Sequence, residues 1–168
     1  MSDLTDQPKP ATRPVVLLLF AIAVVASAGL IDNLATIPNI PVWYAGLNKP
    51  GFTPPNWVFG PVWSLLYAMM VLAFWRVLLR RSRWTTAAWR VVGVFLVQMA
   101  LNAFWSVAFF GMHNPLLGLV VVIALELMIV ATIITFKPID RMAAWLLAPY
   151  AVWVGYATAL NAAIVGLN

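Results

Sequence analysis

Polar side chains recur at helical spacing inside otherwise apolar sequence, and their types suit binding better than bond-breaking. Gln98, Asn102 and Ser106 stand four residues apart with Trp105 beside them, and Trp153, Ala157 and Asn161 repeat that spacing near Tyr150 and Thr158. A third set pairs Trp63 with Tyr67, close to Trp57 and Phe59. Residues four apart share one face of a helix. Three faces that each mix rings with hydrogen-bonding groups could line one cavity, suited to a flat, largely apolar ligand with a few polar handles. The same residues also have a structural reading. Asn, Gln and Ser bond across membrane helices as packing contacts, and Trp and Tyr gather at both interfaces. Nine tryptophans exceed what such belts need, and Trp63 and Trp153 fall inside their apolar runs.

Bond-breaking chemistry has few candidates. Without cysteine there is no disulfide, thiolate metal site or cysteine nucleophile. His113 is the single histidine and sits in a predicted turn, so no metal site is expected on it. One histidine and five acids assemble no hydrolytic triad or metal cluster. Glu126 is the only acid near the middle of a predicted span. An intramembrane carboxylate is a functional candidate by default. It binds a cation, relays a proton or pairs with a base, or it is simply protonated and bonded to nearby backbone.

The elements that hold these residues follow from composition. The chain is 64% hydrophobic and 9% charged, against about 25% charged in soluble domains. A soluble fold of 168 residues cannot hide that excess. A membrane-crossing helix needs about 20 apolar residues, and five runs qualify: about 15–34, 57–79, 87–110, 116–136 and 142–167. The fold class is therefore all-α, an integral membrane bundle of five transmembrane helices, with a polar N-terminal tail at 1–14 and the membrane domain at 15–168. Lys9 and Arg13 before an apolar run ending in Ala26-Ser27-Ala28 also resemble a signal peptide. The run continues through Gly29-Leu30-Ile31, which favours a span.

Short breaks at Gly111–Pro115 and Lys137–Arg141 make successive helices antiparallel neighbours. The connection at 35–56 is long and holds Pro38, Pro41, Pro50, Pro54 and Pro55. Its Trp43, Tyr44 and Phe52 argue for a packed lid rather than a free tether. Pro61 and Pro149 fall in or near helices, and a kink at Pro149 would open space beside Trp153. With five spans, one side carries Lys9, Arg13, Arg76, Arg80, Arg81, Arg83, Arg90, Lys137 and Arg141, the other only Lys49. That asymmetry puts the N-terminus on the cytoplasmic side. It also explains the net charge of +5 without nucleic acid as a partner.

Several blocks occur together and in order: Trp43-Tyr44-Ala45-Gly46-Leu47-Asn48-Lys49-Pro50, then Pro54-Pro55-Asn56-Trp57-Val58-Phe59-Gly60-Pro61-Val62-Trp63 and Tyr67. They continue with Gln98-Met99-Ala100-Leu101-Asn102, Trp105, Phe109-Phe110-Gly111, Pro149-Tyr150, Trp153 and Ala157-Thr158-Ala159-Leu160-Asn161. In these the chain resembles the translocator protein family, also called tryptophan-rich sensory proteins or peripheral benzodiazepine receptors. The resemblance implies five helices around a pocket closed by the first loop, in a homodimer, and as ligands tetrapyrroles such as protoporphyrin IX and haem, sterols in animal members, and synthetic drugs. The matching pocket positions are Trp43, Tyr44, Trp63, Tyr67, Asn102, Trp153 and Ala157, with Gln98 and Asn161 beside them. The C-terminus lacks the tyrosine and arginine of the animal cholesterol-recognition segment, which weakens a sterol role.

The leading expectation is a tetrapyrrole-binding sensor, scavenger or carrier in a bacterial cell membrane, needing no cofactor. One alternative is an enzyme that degrades porphyrin in light with Trp63 and Trp153 as redox partners, as the resemblance suggests. The other is a regulatory scaffold that binds membrane proteins through a helix face.

Overall fold

The computed structural model describes residues 12–80 and 86–168. Lys9, Arg81, Arg83 and most of the 1–14 tail lie outside them. Among the described residues there are five helical segments long and apolar enough to cross a membrane. The first comprises α1 (Thr12–Thr36) and its extension to Tyr44. The next is α2 (Asn56–Arg80), followed by α3 (Thr86–Ser106) and α4 (Pro115–Phe136). The last is divided into α5 (Arg141–Leu146) and α6 (Ala148–Leu167).

The two proline-rich places behave differently from the sequence expectation. The connection at 35–56 does not leave the helix at Ala35. A 3-10 turn, Ile37–Asn39, and a π turn, Ile40–Tyr44, carry the helical path onward. Pro38 and Pro41 each sit in the first positions of these turns, where a missing N–H costs little. Lys49 then caps the end, its Nζ donating to the carbonyls of Tyr44 (2.7 Å), Leu47 (2.9 Å) and Ala45 (3.2 Å). In the fifth span the interruption falls at Leu147, and Pro149 belongs to the opening turn of α6.

The bundle is packed to different densities along its length. α1 lies against α2 and α3, α4 against α3 and α6, and α2 against α5. Near the basic end, rings fill the interior: Phe74 of α2 stacks on Phe95 of α3 at 4.1 Å, and Phe95 on Phe136 at 5.9 Å. Outward-facing apolar side chains such as Leu19, Leu65, Val120, Leu127 and Val152 are exposed to the lipid-facing perimeter. At the opposite end the helices part, and the space between them is the site described next.

Candidate functional site

The cavity has a volume of about 420 Å³, within the ~300–1,000 Å³ range of small-molecule sites. Its walls come from four spans. α1 and its extension supply Asp32, Thr36, Ile40 and Tyr44; α2 supplies Phe59, Trp63 and Tyr67. α3 and the π turn after it, Val107–Gly111, supply Trp105, Ser106 and Phe109, while α6 supplies Ala157, Leu160 and Asn161. The π turn adds a residue to that stretch of helix, as such turns do at functional sites.

The aromatic wall is continuous. Trp63 lies 6.4 Å from Trp105 at an interplanar angle of 27°, Trp105 lies 5.8 Å from Phe109, and Trp63 lies 5.5 Å from Tyr67. All four rings belong to residues that line the cavity.

A hydrogen-bonded chain fixes one end of the wall. The Tyr67 hydroxyl bonds to Asp32 and lies 3.2 Å from Asn102 Oδ1. Asn102 Nδ2 in turn donates to Tyr150 Oη at 2.9 Å. Side chains of α1, α2, α3 and α6 are thereby joined in one network. Asn161 makes a second cross-link: its Oδ1 accepts from the Trp105 indole at 3.2 Å, and its Nδ2 donates to the Pro115 carbonyl at 2.8 Å. Among the described residues, Asp32 Oδ1 and Tyr44 Oη are buried without a hydrogen-bond partner.

The residues singled out in the sequence divide by depth. Tyr44, Trp63, Tyr67, Ala157 and Asn161 reach the cavity wall. Asn102 sits one layer behind, bonded to Tyr67. Trp153 is also behind the wall, its ring 5.9 Å from Phe59, and its Nε1 has no hydrogen-bond partner among the described residues. Trp43 packs on the far side of the wall, against Phe109 at 5.3 Å, and stacks on His113 at 4.7 Å. Gln98 is fully buried with Nε2 3.9 Å from Met70 Sδ, away from the cavity. Glu126 lies on α4, off this wall, with Oε2 unpartnered among the described residues.

Asp32 is the wall residue that sequence reasoning passed over. It falls two residues before the end of the run expected at 15–34 and was not among the sequence candidates. The extension to Tyr44 instead puts the carboxylate inside the span. The polar pair within an apolar run was the available signal.

The first span's extension and the segment after it close over this end of the bundle. Asn39 Oδ1 lies 2.7 Å from His113 Nε2. Asn48 and Asn168 exchange two hydrogen bonds at 3.0 Å, and Tyr156 Oη donates to the Phe52 carbonyl at 2.8 Å. The covering segment is tied to α6 and to the α3–α4 turn.

The sequence profile of the TspO/MBR family matches residues 20–167 of this chain, which include every residue of the cavity wall. The chain belongs to the TspO/MBR family. It is 40% identical over 154 residues to the tryptophan-rich protein TspO of Archaeoglobus fulgidus, covering 90% of this chain and 96% of that protein. It is 36% identical over 154 residues to protein CrtK of Rhodobacter capsulatus, covering 90% and 94%. It is 37% identical over 119 residues to the translocator protein of Homo sapiens, covering 71% and 70%. This TspO/MBR member is thus a multi-pass membrane protein of a sensor and translocator family, with an aromatic cavity at the end away from its basic rim.

Proposed function

We propose that the cavity binds tetrapyrroles such as protoporphyrin IX or haem, and related flat apolar molecules, and that the protein acts as their sensor, scavenger or carrier. The observation that supports this most is the run of adjoining rings from Tyr67 through Trp63 and Trp105 to Phe109 among the cavity-lining residues. A macrocycle stacks on such faces, while Asp32, Tyr67 and Asn161 offer polar contacts at its edges. Trp43, Asn102 and Trp153 act from behind the wall, by holding the residues that touch the ligand. Gln98 contributes to helix packing in this reading. The nine-to-one distribution of basic residues supports an N-terminus on the cytoplasmic side of a bacterial-type cell membrane. A homodimer, with the family, is part of the same proposal.

The test is a dark titration of detergent-solubilised protein with protoporphyrin IX, followed by tryptophan quenching. Saturable quenching at micromolar or tighter affinity, weakened by Trp63→Phe, supports the reading. A folded, helical sample without saturable quenching refutes it.

A second reading, light-driven porphyrin degradation, has the photoexcited porphyrin take one electron from Trp63, and draws on the neighbouring Trp105 ring, 6.4 Å away, as an aromatic partner for the resulting Trp63 radical. Illuminated samples of Trp63→Phe that bind porphyrin yet no longer consume it would support this; consumption unchanged from wild type would reject it.

A further inference from the structure

The basic end of the bundle holds a second concavity, unrelated to the aromatic cavity. It lies between the last turns of α2 and the α4–α5 turn. Arg76 and Arg80 approach it from α2, and Lys137 and Arg141 from the turn. Asp140 is the one acid among them.

That carboxylate is fully engaged. Its side chain is only 3% exposed. Arg76 donates from Nε at 3.0 Å and Nη2 at 3.3 Å, and Arg80 Nε lies 2.7 Å away. The backbone amides of Met142 and Ala143 donate to its Oδ1 at 2.9 Å and 3.2 Å. Asp140 therefore orients the two arginines and starts α5, but it neutralises only one of four cations. The arginine side chains remain 36% and 56% exposed. Lys137 and Arg141 are exposed beside them.

The cationic concavity has an apolar side. Ile134 is 64% exposed and Met142 56% exposed, and both border it. They belong to the ends of membrane-spanning segments, so this wall stands at the level where headgroup meets acyl chain. Trp145, one turn beyond Arg141, is 72% exposed at the same level. A soluble anion needs only the charges. A molecule with a phosphate beside hydrocarbon uses both halves of the surface.

We propose that this rim is a binding site for the phosphodiester headgroup of an anionic phospholipid, with Lys137, Arg141 and the exposed parts of Arg76 and Arg80 facing the phosphate and Ile134 and Met142 facing the upper acyl chain. Basic pockets between helices on the cytoplasmic side hold anionic headgroups in this way. The site does not depend on what fills the aromatic cavity.

The experiment uses the full chain in mixed micelles of phosphatidylglycerol and phosphatidylcholine, with native mass spectrometry counting retained lipids. The wild type should retain phosphatidylglycerol over phosphatidylcholine by about tenfold, and Lys137→Gln with Arg141→Gln should remove most of that preference. The charge-conserving pair Lys137→Arg with Arg141→Lys, which controls for folding, should keep it. Millimolar inorganic phosphate should displace no more lipid than chloride at equal ionic strength. Equal retention of both lipids by the wild type, or an unchanged preference in the glutamine pair, overturns the proposal. Specific displacement by phosphate overturns it in favour of a soluble anion site.

Discussion

Asn161 of α6 holds the indole of Trp105 of α3, accepting its N–H at 3.2 Å, while the same amide reaches the Pro115 carbonyl at the start of α4. One side chain thereby sets the spacing of three helices and the tilt of a cavity-wall ring. Replacing it with Leu leaves the Trp105 N–H unpaired in a low-dielectric interior and takes a second hydrogen bond from the Pro115 carbonyl. Interhelical hydrogen bonds in membranes average about 0.6 kcal/mol and reach about 1.7. Asn161→Leu should therefore lower the thermal midpoint in detergent and weaken porphyrin affinity together, as read by circular dichroism and quenching. A variant with unchanged affinity would mean that Trp105 is placed by other contacts.

Gly118 lets α4 approach this same corner. A Cβ there would meet Asn161 Oδ1, Phe109 Cβ and Phe109 Cδ2, each at 3.0 Å. These neighbours are themselves fixed by the cavity wall, so the strain has little room to relax. Gly118→Ala should destabilise by about 1–3 kcal/mol, measured as a fall in thermal midpoint. A midpoint equal to wild type would show that Phe109 can move freely.

The covering segment is held by Trp43 stacked on His113 at an interplanar angle of 13° and by Asn39 bonded to the same imidazole. An aromatic pair contributes about 0.5–1.5 kcal/mol beyond its buried area. Trp43→Ala should speed ligand release about two- to tenfold, followed by stopped-flow fluorescence. An unchanged release rate would mean that the ligand leaves by a path this segment does not cover.

Asp140 sets an acid limit to stability. Burial alone raises its carboxyl, but the Arg76 hydrogen bond, the Ala143 amide and the charges of Arg76 and Arg80 outweigh that and hold it below its ordinary 3.8. Such a group binds fewer protons folded than unfolded. Its stabilisation is complete above the ordinary value and is lost as pH falls through the folded-state value. The thermal midpoint should fall on acidification below about pH 4. Asp140→Asn should show less of that acid dependence and a lower midpoint at pH 7. An identical acid profile in the variant would place the sensitivity elsewhere.

The spans and the aromatic faces were legible because lipid forces long apolar helices and makes every polar interruption conspicuous. Trp63, Tyr67, Ala157 and Asn161 could be placed on helix faces by their spacing alone. Depth could not: Asn102 and Gln98 share a face, yet one bonds a wall residue and the other is buried beside Met70. Trp153 stands one turn from Ala157 but is screened from the cavity by Phe59. Helix spacing fixes direction around an axis, whereas depth depends on how far neighbouring backbones stand apart. The helical path through Pro38 and Pro41 was hidden for another reason. Proline marks a break in an α-helix, but it is tolerated at the first positions of a new turn, and here two successive turns begin at such positions. Asp32 was overlooked as a consequence.

The most direct test is to fill the cavity. Ala157 lines it with a small side chain and is 9% exposed. In Ala157→Phe the added ring would occupy the space proposed for the ligand. Equilibrium titration with protoporphyrin IX in the dark should show binding lost or weakened at least tenfold, with helicity and thermal midpoint close to wild type. Wild-type affinity in a folded Ala157→Phe protein would contradict the account, because the ligand would then bind outside this cavity.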